Sequence, residues 1–265
     1  TVITDEDIAD QLATDIKDLV RFEPGVTVRR APARFGAAIG STGRARNEDI
    51  AIRGIGGNRV LIQVDGIRSP QGFSFGPQEA GRGGFADVSL VKQVEILRGP
   101  ASALYGSDGL AGAVSFVTSD PVDLIKGQRI GGFLNSQYSS DDNEFAQTAA
   151  LAGKTGNFSA MLAYSRRDFN ELENRGTNEG TGPARTAPNP QDGNSDAVLA
   201  KLVWDNGPHR IRLTGEWLES AVETEVLTGL GPAFTFGPRP VWNVDGLNAR
   251  DTTERARASL DWTYD

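Results

Sequence analysis

Beyond about residue 128 the chain repeats one pattern, in which apolar and polar side chains alternate over long stretches separated by polar turns. In HRIRLTGEWL, Ile211, Leu213 and Trp217 share one face, and Arg210, Arg212, Thr214 and Glu216 share the other. ERARASLDWTY sets Ala256, Ala258, Leu260, Trp262 and Tyr264 against Arg255, Arg257, Ser259, Asp261 and Thr263, and Phe158, Ala160, Leu162 and Tyr164 oppose Ser159, Met161, Ala163 and Ser165. A period of two is the strand period. It predicts strands at 128–139, 143–154, 157–168, 195–205, 209–220 and 252–264. Between them lie SDDN, a tight KTGN turn, a polar loop of about 26 residues, a tight DNGP turn and a loop of about 30. A soluble sandwich alternates as well, so the loops carry more weight. After the first, short and long connections take turns, as in barrels that cross a bilayer with brief turns on one side. Trp204, Trp217, Trp262 and Tyr264 stand near strand ends, where amphipathic rings suit a lipid–water boundary.

Residues 1–125 have another texture, short apolar strands among glycine-rich turns. Thr4 with Asp7 has the form of a helix cap, and Ile8, Leu12, Ile16, Leu19 and Val20 recur at helical spacing, predicting one amphipathic helix that ends near Pro24–Gly25. Strands follow at Val26–Arg30, DIAIRG, RVLIQVDG, the end of VSLVKQVEILR, and AGAVSFVTS. The glycines between DIAIRG and RVLIQVDG suggest a hairpin from Gly54 to Gly66, with Val60, Ile62 and Val64 on one face and Leu61 and Gln63 on the other. The boundary between the two textures falls at Asp123–Gln128.

Composition narrows the function. A chain of 265 residues with no cysteine is not a disulfide-stapled domain, a thiol enzyme or a Cys-ligated zinc protein. A net charge of -8 argues against nucleic acid as a partner. His209, the only histidine, falls in the DNGPHR turn and reads as a turn residue; it gives no His-rich metal site. GIGGNR lies between strands and lacks the Lys-Ser/Thr of a phosphate loop. Carboxylate pairs such as Asp141–Asp142 sit in turns, so no acid–base dyad and no enzyme is expected, and a secreted hydrolase finds no cleft chemistry. No apolar run is long enough for a membrane helix; a membrane reading requires a barrel. The first residues lack the basic and apolar regions of a secretory signal, so the chain is either cytosolic or begins after processing or truncation.

IAIRGIGGNRVLIQVDGIRSPQGFSFGP at 50–77 and VKQVEILRGPASALYGSDGLAGAVSFVTSDP at 91–121 resemble, in order, the plug domain of TonB-dependent outer-membrane receptors, with wording closest to the haem and haemoprotein branch. The resemblance implies a mixed α+β plug domain at 1–125 followed, at 126–265, by antiparallel β-strands of an incomplete transmembrane β-barrel. The family's barrel has 22 strands, whereas the residues after Ile125 suffice for about six, so the chain reads as a fragment. The signal peptide and the segment that engages TonB are expected outside it.

Further expectations follow from the resemblance. Arg53 and Arg98, at the IRG and LRGP motifs, are expected to dock the plug against acidic groups of the wall, with Glu95 joining them. Ligand is expected at a plug apex of Arg68, Gln71, Phe73 and Phe75, with Arg82 further on. These groups suit haem propionates or a ferric catecholate. Receptors of the haem branch use histidine ligands, and none stands in this apex. The reading is a bacterial outer-membrane transporter of haem, with no intrinsic cofactor and with TonB, outer-membrane lipid and haem or a ferric chelate as partners. A ferric-siderophore or cobalamin receptor, or a soluble β-rich binding protein, is the alternative.

Overall fold

In a computed structural model of the protein, the residues described are 1–31, 47–72, 74–75, 78–79, 86–101, 109–233 and 242–264. The first part contains β1 (Val2–Thr4), α1 (Asp5–Asp10), α2 (Ile16–Leu19), β2 (Val26–Ala31), β3 (Asn47–Ile52), β4 (Val60–Val64), β5 (Ile67–Arg68), β6 (Ser74–Phe75), β7 (Gln78–Glu79), β8 (Val91–Arg98), β9 (Gly112–Thr118) and α3 (Pro121–Ile125). The second contains β10 (Ile130–Ser139), β11 (Glu144–Thr155), β12 (Phe158–Asn170), β13 (Gln191–Asp205), β14 (His209–Glu225), β15 (Gly231–Ala233), β16 (Trp242–Val244) and β17 (Asn248–Tyr264).

The N-terminal sheet has the order β1-β8-β9-β4-β5, with β4 and β9 parallel. All five residues of β4 are buried, so the expected two-faced alternation does not hold there. A parallel pair is covered on both sides and selects apolar residues throughout. The expected hairpin does not form either. Arg53 and Gly54 have φ of 52° and 77°, and Ile52 and Ile55 exchange both backbone bonds in a turn that ends β3. β3 pairs instead with β2. Gly112 is required for close approach, since a Cβ there would lie 2.2 Å from the Leu97 carbonyl oxygen across the β8–β9 ladder.

The single expected helix is two. Thr4 caps α1 as predicted, its Oγ1 accepting from Asp7 N–H at 3.3 Å while Thr4 N–H donates to Asp7 at 2.9 Å. Leu12 then takes φ of 50°, and Asp15 starts α2 by accepting from Asp18 N–H at 2.8 Å. A short acidic side chain competing for backbone donors breaks the periodic run into two capped pieces.

The second sheet is an antiparallel meander, β10-β11-β12-β13-β14-β17, in which consecutive strands are neighbours except where the small β15–β16 ribbon intervenes. The predicted strands are present, and several run further, β13 from Gln191 and β14 to Glu225. Their polar ends stay in the ladder because neighbouring backbones satisfy them whatever the side chain. Alternation is close to strict: β11 reads BeBeBeBeB in burial from Glu144, and β12 alternates similarly. The buried face packs on the N-terminal part through Ala150, Ala152, Met161, Ala163, Leu199 and Leu218, against Leu90 in the turn before β8 and Ile125 of α3. At the start of β10, Gly131 leaves room for α3: a Cβ would meet the Leu124 carbonyl oxygen at 2.1 Å.

The opposite face is apolar and exposed, and the register stacks it in rows. Phe158, Trp204, Ile211 and Trp262 pair across four strands at the short-turn side. Leu162, Ala200, Gly215 and Ala258 lie across the middle, and Tyr164, Val198, Trp217 and Ala256 form the next row but one in the sequence of levels. Above them, toward the long loops, Arg166, Asp196, Glu219 and Glu254 form a row of charge. From Ala256 to Tyr264 is about 27 Å of extended strand, or about 20 Å along the barrel axis at the usual tilt. The apolar band of a transmembrane barrel is about 25 Å tall and rimmed by aromatics, so these rows cover most of such a band. No helix among the described residues is long and apolar enough to cross a membrane.

Candidate functional site

Three carboxylates in turns and caps of the N-terminal part meet cations on the covered face of the second sheet. Asp65 and Gly66 make the two-residue turn between β4 and β5, with φ of 47° and 81°. Asp65 Oδ1 accepts from Thr118 N–H at 2.8 Å, and Oδ2 accepts from Thr118 Oγ1 at 2.6 Å and from Arg257 Nη2 of β17 at 2.8 Å. Arg257 also donates to the Val64 carbonyl at 2.9 Å and to Glu216 of β14 at 2.7 Å. Asp120, just before α3, accepts from Lys201 at 2.9 Å, from Arg210 at 2.8 Å and from Arg212 at 3.4 Å. Lys201 is fully buried and donates as well to the Thr118 carbonyl at 3.1 Å, with Asp65 at 3.9 Å.

A second contact lies nearer the long loops. Asp87 pairs with Arg167 of β12 at 3.0 Å, Arg167 also donates to the Thr14 carbonyl, and Ser89 Oγ meets Ser165 Oγ at 3.0 Å. A cavity of about 660 Å³ separates α1 and β8 from β10 and β11. At its edge Gln137 donates to the Leu12 carbonyl at 2.7 Å.

Burial alone would raise the Asp65 carboxyl, but Lys201, the two bonds from Thr118 and the bond from Arg257 outweigh it and hold the group below its ordinary value. Asp87 is treated likewise, burial being outweighed by Arg167 and Ser89, and Asp120 by Lys201, Arg212 and Arg210. Carboxyls depressed on docking bind fewer protons docked than undocked. Their contribution is therefore complete above the ordinary carboxylate value near 4 and is lost as pH falls through the depressed values. The urea concentration that frees the N-terminal sheet from the wall should be flat from pH 7 to about 5 and fall below about pH 4. Steady loss between pH 7 and 5 would refute this.

The residues singled out in the sequence are placed as follows. Arg98 donates to Thr1 Oγ1 at 2.8 Å and pairs with Glu23, within its own domain. Glu95 accepts from Gln93 at 2.7 Å, and Arg53 is exposed, its N–H donating to the Gly25 carbonyl. Glu95 and Arg98 thus have separate partners within the N-terminal part. Arg68 lies on β5, opposite Gln63 of β4. Gln71 is exposed next to Gly72, which Asn58 fixes by two bonds of 2.9 Å. Phe75 lies on β6, while Phe73 and Arg82 lie outside the described residues. Asp65, Asp87 and Asp120 were missed. The signal available was the series of cations on the polar face of alternating strands, because a covered cation needs an anion opposite.

Comparison with known proteins agrees with this arrangement. Residues 1–113 match the TonB-dependent Receptor Plug Domain family. The Hemin receptor of Yersinia enterocolitica is 34% identical over 206 residues, covering 77% of this chain and 26% of the relative. The Hemoglobin and hemoglobin-haptoglobin-binding protein A of Haemophilus influenzae is 32% identical over 283 residues, covering 100% of this chain and 25% of the relative. Among solved structures, the FrpB iron transporter from Neisseria meningitidis superimposes with a TM-score of 0.70 at 24% identity, over 99% of this chain and 37% of that one. The Serratia marcescens hemophore receptor HasR, solved with its hemophore HasA and heme, gives 0.64 at 18%, over 99% of this chain and 38% of that one. This chain therefore spans about a quarter of the length of the curated relatives it matches. A plug sheet docked by its acids against an antiparallel wall with an apolar outer face, joined to these likenesses, establishes that the chain belongs to the TonB-dependent receptors.

Proposed function

We propose that the receptor containing this chain imports an iron-bearing ligand across the bacterial outer membrane, and that the ligand is haem or haem carried by a protein. In this reading residues 1–125 are the plug and 126–265 are the first six strands of the barrel. The observation that carries the transport reading is the ionic seam, in which plug carboxylates meet wall cations across a water-excluding contact. Such a plug is held firmly and yet by bonds that water can replace. The haem reading is supported by hemin and hemoglobin receptors standing among the relatives at 30–34% identity. Arg68, Gln71, Phe73, Phe75 and Arg82 are the plug residues proposed to face ligand, and Arg53, Glu95 and Arg98 remain proposed for docking against wall beyond this chain. TonB supplies the force.

Expressed at full length in a haem-requiring strain that lacks its own receptors, the protein should support growth on hemin, and deletion of TonB should abolish that growth. Growth on a ferric catecholate but not on hemin would replace haem by a siderophore, which an arginine-and-aromatic apex without histidine also suits.

A further inference from the structure

The wall cations that hold the plug differ in what they would keep if the plug moved. Arg257 is shared, with Asp65 on the plug at 2.8 Å and Glu216 on the wall at 2.7 Å. Arg212 likewise has Asp261 on the wall at 3.3 Å besides Asp120. Lys201 has no such reserve. Its contacts among the described residues, with Asp120, Asp65 and the Thr118 carbonyl, all reach the plug. A buried cation deprived of its partners is costly, whereas one handed to a second carboxylate is not.

Asp65 and Asp120 also differ in their connections. Asp120 lies at the start of α3, which leads directly into β10, so it is tied to the wall through the chain as well as through charge. Asp65 sits in a turn from which residues 67–72 climb back along β4, fixed by Ser69 N–H to the Ile62 carbonyl at 2.9 Å and by the paired bonds between Gly72 and Asn58. A displacement at the Gly72 end has a stiff path to the Asp65 turn.

We propose that Asp65 is a positioning residue for transport, a releasable latch on Arg257 that Glu216 backs from the wall, while Asp120 with Lys201 is the fixed pivot of the plug. The plug swings on Asp120 when the Asp65 turn leaves, and Arg257 keeps its bond to Glu216, a carboxylate it shares on the wall with Arg255. This rests on the transporter reading but not on the identity of the ligand.

The two carboxylates that compete for Arg257 give opposite predictions, which a purely structural role would not. Full-length receptor in liposomes is titrated with urea, and permeability to a small sugar is followed by osmotic swelling. Asp65→Asn should shift the opening midpoint to lower urea. Glu216→Gln, which takes the wall carboxylate from Arg257 and from its neighbour Arg255 and leaves Asp65 as the carboxylate on Arg257, should shift it to higher urea. Asp65→Glu, which keeps the charge, should stay near wild type, and heat-modifiable migration on gels verifies that each barrel is folded. Shifts of both Asn and Gln variants in the same direction, or no shift for Asp65→Asn, overturn the latch while leaving the transporter reading intact. Failure of every variant and of the parent to open at any urea concentration sinks the transporter reading and the latch with it.

Discussion

Lys201→Met in the full-length receptor should reduce hydrogen-exchange protection of the β9 amides by about a hundredfold. The substitution preserves the length and apolar stem of a side chain that is fully buried, and removes only its charge. Asp120 keeps Arg210 and Arg212, and Asp65 keeps Arg257, so neither acid is abandoned. Both nevertheless lose the one cation that sits between them away from water. Breaking a buried pair from one side costs roughly 3–5 kcal/mol, and the remaining arginines place this case at the lower end, about 3 kcal/mol. Arg250→Gln is the control, because its pair with Glu223 at 3.4 Å is solvated on both sides and contributes about 1 kcal/mol at most. Equal protection in the two variants would show that Lys201 does not hold the plug.

A second large effect is expected on the other face of the wall. Leu162→Arg should destabilise the barrel in lipid by about 2–4 kcal/mol, whereas Glu219→Arg should cost about 1 kcal/mol or less. Leu162 is 58% exposed in the middle of the apolar rows, flanked in register by Leu151 and Ala200. An exposed leucine in water is commonplace, so the test is made in bilayers: unfolding of the full-length receptor from phospholipid vesicles, followed in urea. The row of Arg166, Asp196, Glu219 and Glu254 already lies at the polar boundary, and a further cation there meets anions and headgroups. If the Leu162 and Glu219 variants unfold alike, the exposed face is not the lipid face.

Much of the wall was legible before coordinates because a half-covered strand writes its two faces into alternate residues. Ile211, Leu213, Arg210 and Arg212 were sorted correctly by period alone. What failed in the plug failed for lack of period. β4 is buried on both sides, so nothing in VLIQV distinguishes a hairpin partner from the distant β9 that it joins. The break between α1 and α2 depended on Asp15 acting as a cap, while Ile8, Ile16 and Leu19 keep helical spacing across it. The docking acids were hidden for a different reason. Asp65 and Asp120 look like turn residues, Asp65 in VDG and Asp120 before a proline. Their meaning comes only from cations supplied by strands far along the chain. The glycine-rich motifs carried the family likeness, yet Arg98 finds Glu23 close at hand in its own domain rather than an acid on these strands.

Asp65 and Arg257 are 192 residues apart in sequence. The wall strands pair with sequential neighbours, so they can zip together hairpin by hairpin, while the plug's own order, β1-β8-β9-β4-β5, demands closure of long loops. The plug leaves the ribosome first, and its counter-charges come from the wall strands that follow it, Arg167 on β12, Lys201 on β13 and Arg257 on β17. Until β12, β13, β14 and β17 arrive, its acids lack these partners, a delay that favours building the enclosure around the stopper over forcing a finished stopper into a closed ring.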